Sequence, residues 1–438
     1  MKPALVFSLL MMVYTLQAFA QTATELAEIW DKEHVSKMFP SNVRHKDLFK
    51  SLDDLKKIDV RVNEVGRSEQ GREIFQIEWG KGPKKVFLWS QMHGDEPTAT
   101  SALIDMFAFL QKNRDKDWVK VIEQNLTIRA VPMVNPDGAD VYQRRNSLGI
   151  DINRDARNLV TTEARLLKSL RDAWQPEIGF NLHNQQSLTT VGNTNKQAAI
   201  SFLVVYGDEA KTLTPGLDRN RRLVVAMTQA LNSFIPGHIA RYGDEWTPSA
   251  FGDSFSSWGT PVILIETGAL HGKDEMHLVK MNFVALMTSM KLLADGGFAA
   301  FDSNEYDTIP NNSSGRIMNF VFRNATLIDR TKPDQPVTTT ADIGVNLERR
   351  RAEQLQPTTI RQVGQVTLAG LEEFDASEFN VTGRFQPLRV GNYGEMLFYK
   401  KGREVNWASP DIEKEFPPDA IFSLGKWVRG EGLLKRRN

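Results

Sequence analysis

The period of the apolar positions changes several times along the chain, and each change marks an element. Leu26, Ile29 and Trp30 lie at helical spacing, which predicts a helix from about Thr22 to His34. Ser51 and Asp54 occupy the cap and capping-box positions of a second helix starting at Ser51. Strict alternation then takes over at 60–65 and 72–79, with Gly66 and Gly71 between, and predicts two hairpin strands. The run 85–89 is more continuously apolar, as expected of a strand covered on both faces. Pro97 opens a helix whose Leu103, Met106, Phe107 and Leu110 share a face. A strand at 126–131 follows and runs into Asn135-Pro136-Asp137-Gly138, a strong turn signal.

The next stretch, 144–155, is polar and basic without a period, so a loop is expected. Thr161 to Glu163 cap a helix carrying Leu166, Leu167 and Leu170, and Pro176 stops it. Strands at 178–183 and 200–205, a helix at 223–234, a strand at 261–265 and a helix at 274–293 complete the first region. The aromatic-rich stretch 242–259 has no clean period and reads as a pocket-forming loop. Near Thr308 the helical periods disappear. Short strands at 317–322, 359–368, 379–385 and 395–399 predict a smaller β-rich domain over 308–438.

Composition narrows the function. The chain has 438 residues and a formal net charge of zero, which gives no electrostatic footprint for nucleic acid or an anionic membrane. Residues 1–20 have a basic start at Lys2, a short apolar run and Ala18-Phe19-Ala20, the form of an export signal cleaved after Ala20. An exported periplasmic or extracellular protein is expected, with no membrane partner after cleavage. Cysteine is absent, which excludes Cys-ligated zinc, iron–sulfur clusters and a thiol nucleophile. The oligomeric state is not legible in the sequence.

The chemistry sits at predicted strand ends. His93 and Glu96 follow the strand at 85–89, His183 ends the strand at 178–183, and Glu266 follows the strand at 261–265. Taken singly, His93-x-x-Glu96 reads as a capping or surface pair, His183 as a core histidine and Glu266 as a strand-end carboxylate. Taken together, His93, Glu96 and His183 offer two imidazoles and one carboxylate, which leaves a zinc ion an open position for water. Glu266 can take that water's proton, and Arg144 or Arg154 can stabilise the oxyanion or hold a substrate carboxylate. Metal-assisted hydrolysis follows.

The residues from about 37 to 296 resemble the zinc carboxypeptidase family. The resemblance rests on His93-x-x-Glu96, Asn135 to Gly138, Asp151 with Asn153 and Arg154, the distant His183, and Glu266 with Gly268. It implies an α/β catalytic domain at 21–300, with a mixed central sheet and helices on both faces, and one zinc per chain held by His93, Glu96 and His183. It further implies that Glu266 is the general base, that Arg144 polarises the scissile carbonyl, and that Asn153 and Arg154 hold the terminal carboxylate. Asp151 would orient His93. Arg145 is a further candidate for substrate binding, and Tyr242 lies near the stretch where the family carries a substrate-capping tyrosine. Asp155 stands where the digestive members have asparagine, a change expected to make the carboxylate subsite less positive. The segment 247–255 looks more like bacterial enzymes that trim cell-wall peptides. The implied function is an exported zinc carboxypeptidase acting on peptides. The alternatives are a muropeptide hydrolase cleaving γ-D-glutamyl or D,L bonds and a non-catalytic peptide- or glycan-binding module on the same fold.

Overall fold

A computed structural model describes residues 22–332 and 335–437. The expected export signal lies outside the described residues. The chain divides into two compact units: the first comprises the described residues up to Ser187 together with Lys196–Asn312, and the second Leu188–Asn195 with Ser313 onward. Among the described residues no helix is long and apolar enough to cross a membrane.

The first unit is an α/β domain around one mixed sheet. Its strands are β1 (Arg61–Arg67), β2 (Glu73–Gly80), β3 (Lys84–Ser90), β4 (Leu126–Val131), β5 (Ile178–Asn184), β7 (Ile200–Val205), β8 (Ile239–Arg241) and β9 (Val262–Thr267), whereas β6 (Thr190–Val191) belongs to the second unit. The spatial order is β1-β2-β4-β3-β5-β9-β7-β8. The four central strands β4, β3, β5 and β9 run parallel, and antiparallel pairs flank them. Strands covered on both faces carry apolar side chains at odd and even positions alike. In β3, Val86 and Leu88 join one core while Phe87 and Trp89 join the other. The first core is closed by α1 (residues 22–33), α2 (His45–Lys57), α3 (Thr98–Lys112), α4 (Asp117–Asn125), α7 (Pro215–Asn232) and α9 (Glu275–Asp295). The second is closed by α6 (Thr162–Trp174) and α8 (Phe251–Ser257), and α5 (Pro136–Val141) follows β4.

Several boundaries differ from the sequence reading. Helix α2 begins at His45, where the Arg44 N–H donates to the Asp47 carboxylate, and Ser51 lies inside it with its hydroxyl on the Asp47 carbonyl oxygen. The expected turn at 135–138 winds on into α5, because the Asn135 side chain accepts the Gly138 N–H and Pro136 fits the first helical turn. Helix α7 starts at Pro215 under a Thr214 cap, well before Leu223. The expected loop at 242–259 contains α8, whose Phe251 and Phe255 are buried side by side.

The second unit is β-rich, as expected. After β10 (Asn312–Ser313), the long strand β11 (Ile317–Asp329) pairs antiparallel with β12 (Val337–Leu347), which itself pairs with β13 (Thr358–Gly364). Strands β14 (Ala369–Asp375) and β15 (Phe379–Gly383) both run parallel to β11, at different ends of it. The meander β16 (Met396–Lys400), β17 (Ala420–Ser423) and β18 (Lys426–Arg429) extends the sheet. Phe320, Phe322, Phe374, Phe398 and Phe422 form its aromatic core. The strand expected at 359–368 stops at Gly364, whose φ of 120° breaks the extended run.

Candidate metal centre and active site

Three neighbouring central strands, β3, β5 and β9, deliver His93, His183 and Glu266 at their C-terminal ends, the edge where open α/β sheets place ligands. After Ser90 the chain turns through Gln91, whose φ of 49° is left-handed and strained for a residue with a side chain. Its own side chain holds the bend: Nε2 donates to the Gly94 carbonyl oxygen at 3.0 Å, and Oε1 accepts the Thr100 hydroxyl at 3.0 Å. A Cβ on Gly94 would lie 2.0 Å from the Gly138 carbonyl carbon, so this close crossing of two backbones requires glycine. Beneath it Asp137 accepts from the Ser68 hydroxyl, the Gln70 N–H and Arg72 Nη1. The Asn-Pro-Asp-Gly segment is thus the buttress of the His93–Glu96 bend.

His93, Glu96 and His183 are all buried, and one potential ligand atom from each lies within 4.8 Å of the others. His93 Nδ1 is 2.9 Å from Glu96 Oε1 and 3.1 Å from His183 Nδ1, and His183 Nδ1 is 2.7 Å from Glu96 Oε2. Tetrahedral zinc with bonds of about 2.0–2.1 Å needs donor atoms roughly 3.3 Å apart, close to this spacing. Arg144 Nη1 lies 3.1 Å from His93 Nδ1 and 3.2 Å from Glu96 Oε1, so a cationic nitrogen already leans on two of the three donors. The donor set fits zinc.

The surroundings hold these donors in place. His93 turns its other nitrogen, Nε2, to Asp151 Oδ1 at 3.1 Å, which leaves Nδ1 for the metal. Asp151 also accepts from Arg144 Nε at 3.0 Å. Burial opposes charge on each group, yet the carboxylates of Glu96 and Asp151 push His93 up to about 9. Burial and the neighbouring His93 hold His183 down against the pull of Glu96. For Glu96, burial is outweighed by His93 and His183, which keep it ionised well below the usual range.

Glu266 is the register partner of His183 across the parallel β5–β9 pair, and it is 7% exposed. The negative charge of Glu266, then burial, pushes the Tyr242 phenol up to about 12. Asn153 links the site to α8: its Oδ1 accepts the Phe251 N–H at 2.9 Å, and its amide nitrogen lies 3.5 Å from His183 Nε2. Arg154 is exposed beside it, donating to the Asn153 carbonyl oxygen at 2.7 Å. Arg145 is exposed and donates to Gly149 in its own loop, and no hydrogen bond or ion pair joins it to the cluster.

Asp155, expected to alter the carboxylate subsite, is engaged elsewhere. It is buried and accepts the N–H groups of Val160 and Thr161 and the Thr161 hydroxyl, fixing the start of α6. A contact with no local sequence signal completes the centre: the Asn184 N–H donates to Glu96 Oε2 at 3.1 Å.

Residues 46–218 match the family model of the zinc carboxypeptidases. The match supports a zinc-carboxypeptidase fold. It spans His93, Glu96, Arg144, Asp151, Asn153, Arg154 and His183 and ends before Tyr242 and Glu266, the second of which the parallel β5–β9 pair sets in register with His183. Over 119 residues the chain is 29% identical to carboxypeptidase SOL1 of Arabidopsis thaliana, covering 25% of this chain and 24% of the relative. It is 29% identical over 124 residues to the carboxypeptidase N catalytic chain of Homo sapiens, covering 23% of this chain and 27% of the relative. The chain therefore spans about a quarter of the length of these curated relatives. A metallo-carboxypeptidase structure from Burkholderia cenocepacia aligns with a TM-score of 0.48 at 15% identity, over 57% of this chain and 69% of that one.

Proposed function

We propose that the protein is an exported zinc-dependent carboxypeptidase that hydrolyses a C-terminal peptide bond. The observation that carries this reading is the buried His93, Glu96 and His183 cluster with Glu266 in register on the next strand. Bound zinc would supply a Lewis acid that polarises the scissile carbonyl and acidifies the attacking water. Glu266 takes the proton from that water as its oxygen bonds to the carbonyl carbon, and returns it to the amine nitrogen as the C–N bond breaks. Asp151 holds His93 in the tautomer that a metal needs. Arg144 donates to the carbonyl oxygen as charge develops there, while Asn153 and Arg154 hold the terminal carboxylate. Tyr242, pushed up to about 12, stays protonated at working pH and so remains a hydrogen-bond donor.

Metal analysis of the purified protein, with amino-acid release from a peptide panel, tests the reading. Less than about 0.2 zinc per chain, with no activity regained on adding zinc, contradicts it. Muropeptides with γ-D-glutamyl and D,L bonds belong in the same panel, since turnover of those alone would select the cell-wall alternative. Export predicts that the mature protein begins at Gln21, which N-terminal sequencing of the secreted fraction reads directly.

A further inference from the structure

Beside the 153–156 turn lies a cavity of about 350 Å³ that the proposed hydrolysis does not use. Its wall includes Trp246, Trp258, Arg157, Lys168 and Ser257. We infer that this cavity binds an acidic sugar residue, a pyranose ring bearing a carboxylate.

The volume lies at the small end of the roughly 300–1,000 Å³ typical of ligand pockets, which suits one ring rather than a chain. Trp246 supplies an electron-rich face to the cavity, and the slightly positive C–H face of a pyranose complements the quadrupole of such a face. Trp258 is held rigid by Phe251 and Phe255, whose ring centroids lie 6.4 and 5.9 Å away. Trp246 is half-buried and stacks on no ring of the described residues, so its face is available.

The charges decide what the ring carries. Lys168 lies 4.8 Å over the Trp258 ring and is already paired with Asp172. Arg157 is exposed and makes no ion pair with any described residue. The cavity therefore has one uncompensated cation, whose planar donors match one carboxylate bidentately. Ser257 and the Lys168 ammonium add polar groups for ring hydroxyls, which a flat aromatic acid would leave unused.

The test uses the full-length protein and follows its indole N–H resonances by NMR during titration with glucuronate, glucose, acetate and benzoate. The expected result is saturable shifts of two of the nine tryptophan indoles with glucuronate, and weaker shifts with the other three. Assignment through Trp246→Phe and Trp258→Phe should identify those two signals. Arg157→Ala should weaken glucuronate about ten-fold or more, as loss of a charge-assisted pair requires, and Trp246→Ala should weaken it too. Both variants should turn over a blocked dipeptide at the wild-type rate. Glucose or benzoate binding as tightly as glucuronate overturns the inference, as do shifts confined to other indoles or unchanged affinity in both alanine variants. Because the readout is binding, it needs neither the metal nor turnover.

Discussion

Glu266 and His183 are one strand apart and share a register position, yet their replacement should have opposite signatures. Glu266→Gln keeps size and leaves the three proposed ligands intact, so zinc content should be unchanged. Removing a general base should lower kcat at least about 100-fold with little change in KM. A variant retaining more than about a tenth of wild-type kcat would show that another group takes the proton. His183→Ala removes a ligand and leaves Glu96 without its 2.7 Å partner, so metal should be lost together with activity. Chelation of the wild-type protein should lower Tm, with recovery on adding zinc, because an ion bound only by the folded state stabilises it. At this scale the sequence was most informative: His93, Glu96, His183 and Glu266 were all legible as donors at strand ends. Asp155 was not. Its carboxylate has three local donors at the start of α6, and that satisfied burial outweighs any outward role.

Among the elements, α8 carries a buried titratable carboxylate. Burial pushes its Asp253 up to about 6, against the opposing pull of the Thr247 N–H and of Arg154. The folded state therefore holds this proton more tightly than the unfolded chain, whose value is near 3.8. Stability from this group is fully present below that value and is lost as pH rises through about 6. Partial exposure reduces the cost of the charged form to about 1–2 kcal/mol at pH 8. Asp253→Asn can still accept the Thr247 N–H, so it should raise Tm at pH 8, and the gain should shrink as pH falls through about 6 and vanish by pH 3.8 or so. Thermal unfolding at the two pH values checks the sign; a gain of equal size at both would assign the effect to packing. The period missed α8 because Phe251 and Phe255, one turn apart in seven residues, do not make a repeat. It also read α7 from Leu223, since the polar first turns, with Asp218, Arg219, Arg221 and Arg222, hide a helix that Thr214 and Pro215 announce.

For the whole molecule, the second unit includes Leu188–Asn195, a segment that leaves the first unit's sheet four residues after Asn184. Thr190 and Val191 within it are buried. Deleting residues 313–438 should therefore strand this segment and sharply lower soluble yield. Replacing 188–195 by a short Gly/Ser turn in the same truncation should restore a soluble protein that binds zinc. Soluble yield and zinc content distinguish the two variants, and a simple truncation as soluble as wild type would contradict the prediction. The sequence places the boundary near Thr308 because helical periods stop there, but an eight-residue excursion has too few positions to show a period of its own.

By itself the sequence determined residue types and local periods: apolar runs for strands covered on both faces, caps and prolines at helix starts, and metal-ligand chemistry at strand ends. Tertiary structure decided adjacency. The order β4-β3-β5-β9 sets strands distant in sequence beside one another, and crossover connections leave no trace of that order in any local pattern. The parallel pair that sets His183 opposite Glu266, the Asn184 N–H on Glu96, and the Asn153 bridge from His183 to α8 all depend on which strands become neighbours. A side chain's partner is chosen by the packing of whole elements, and local periodicity specifies only the face it presents.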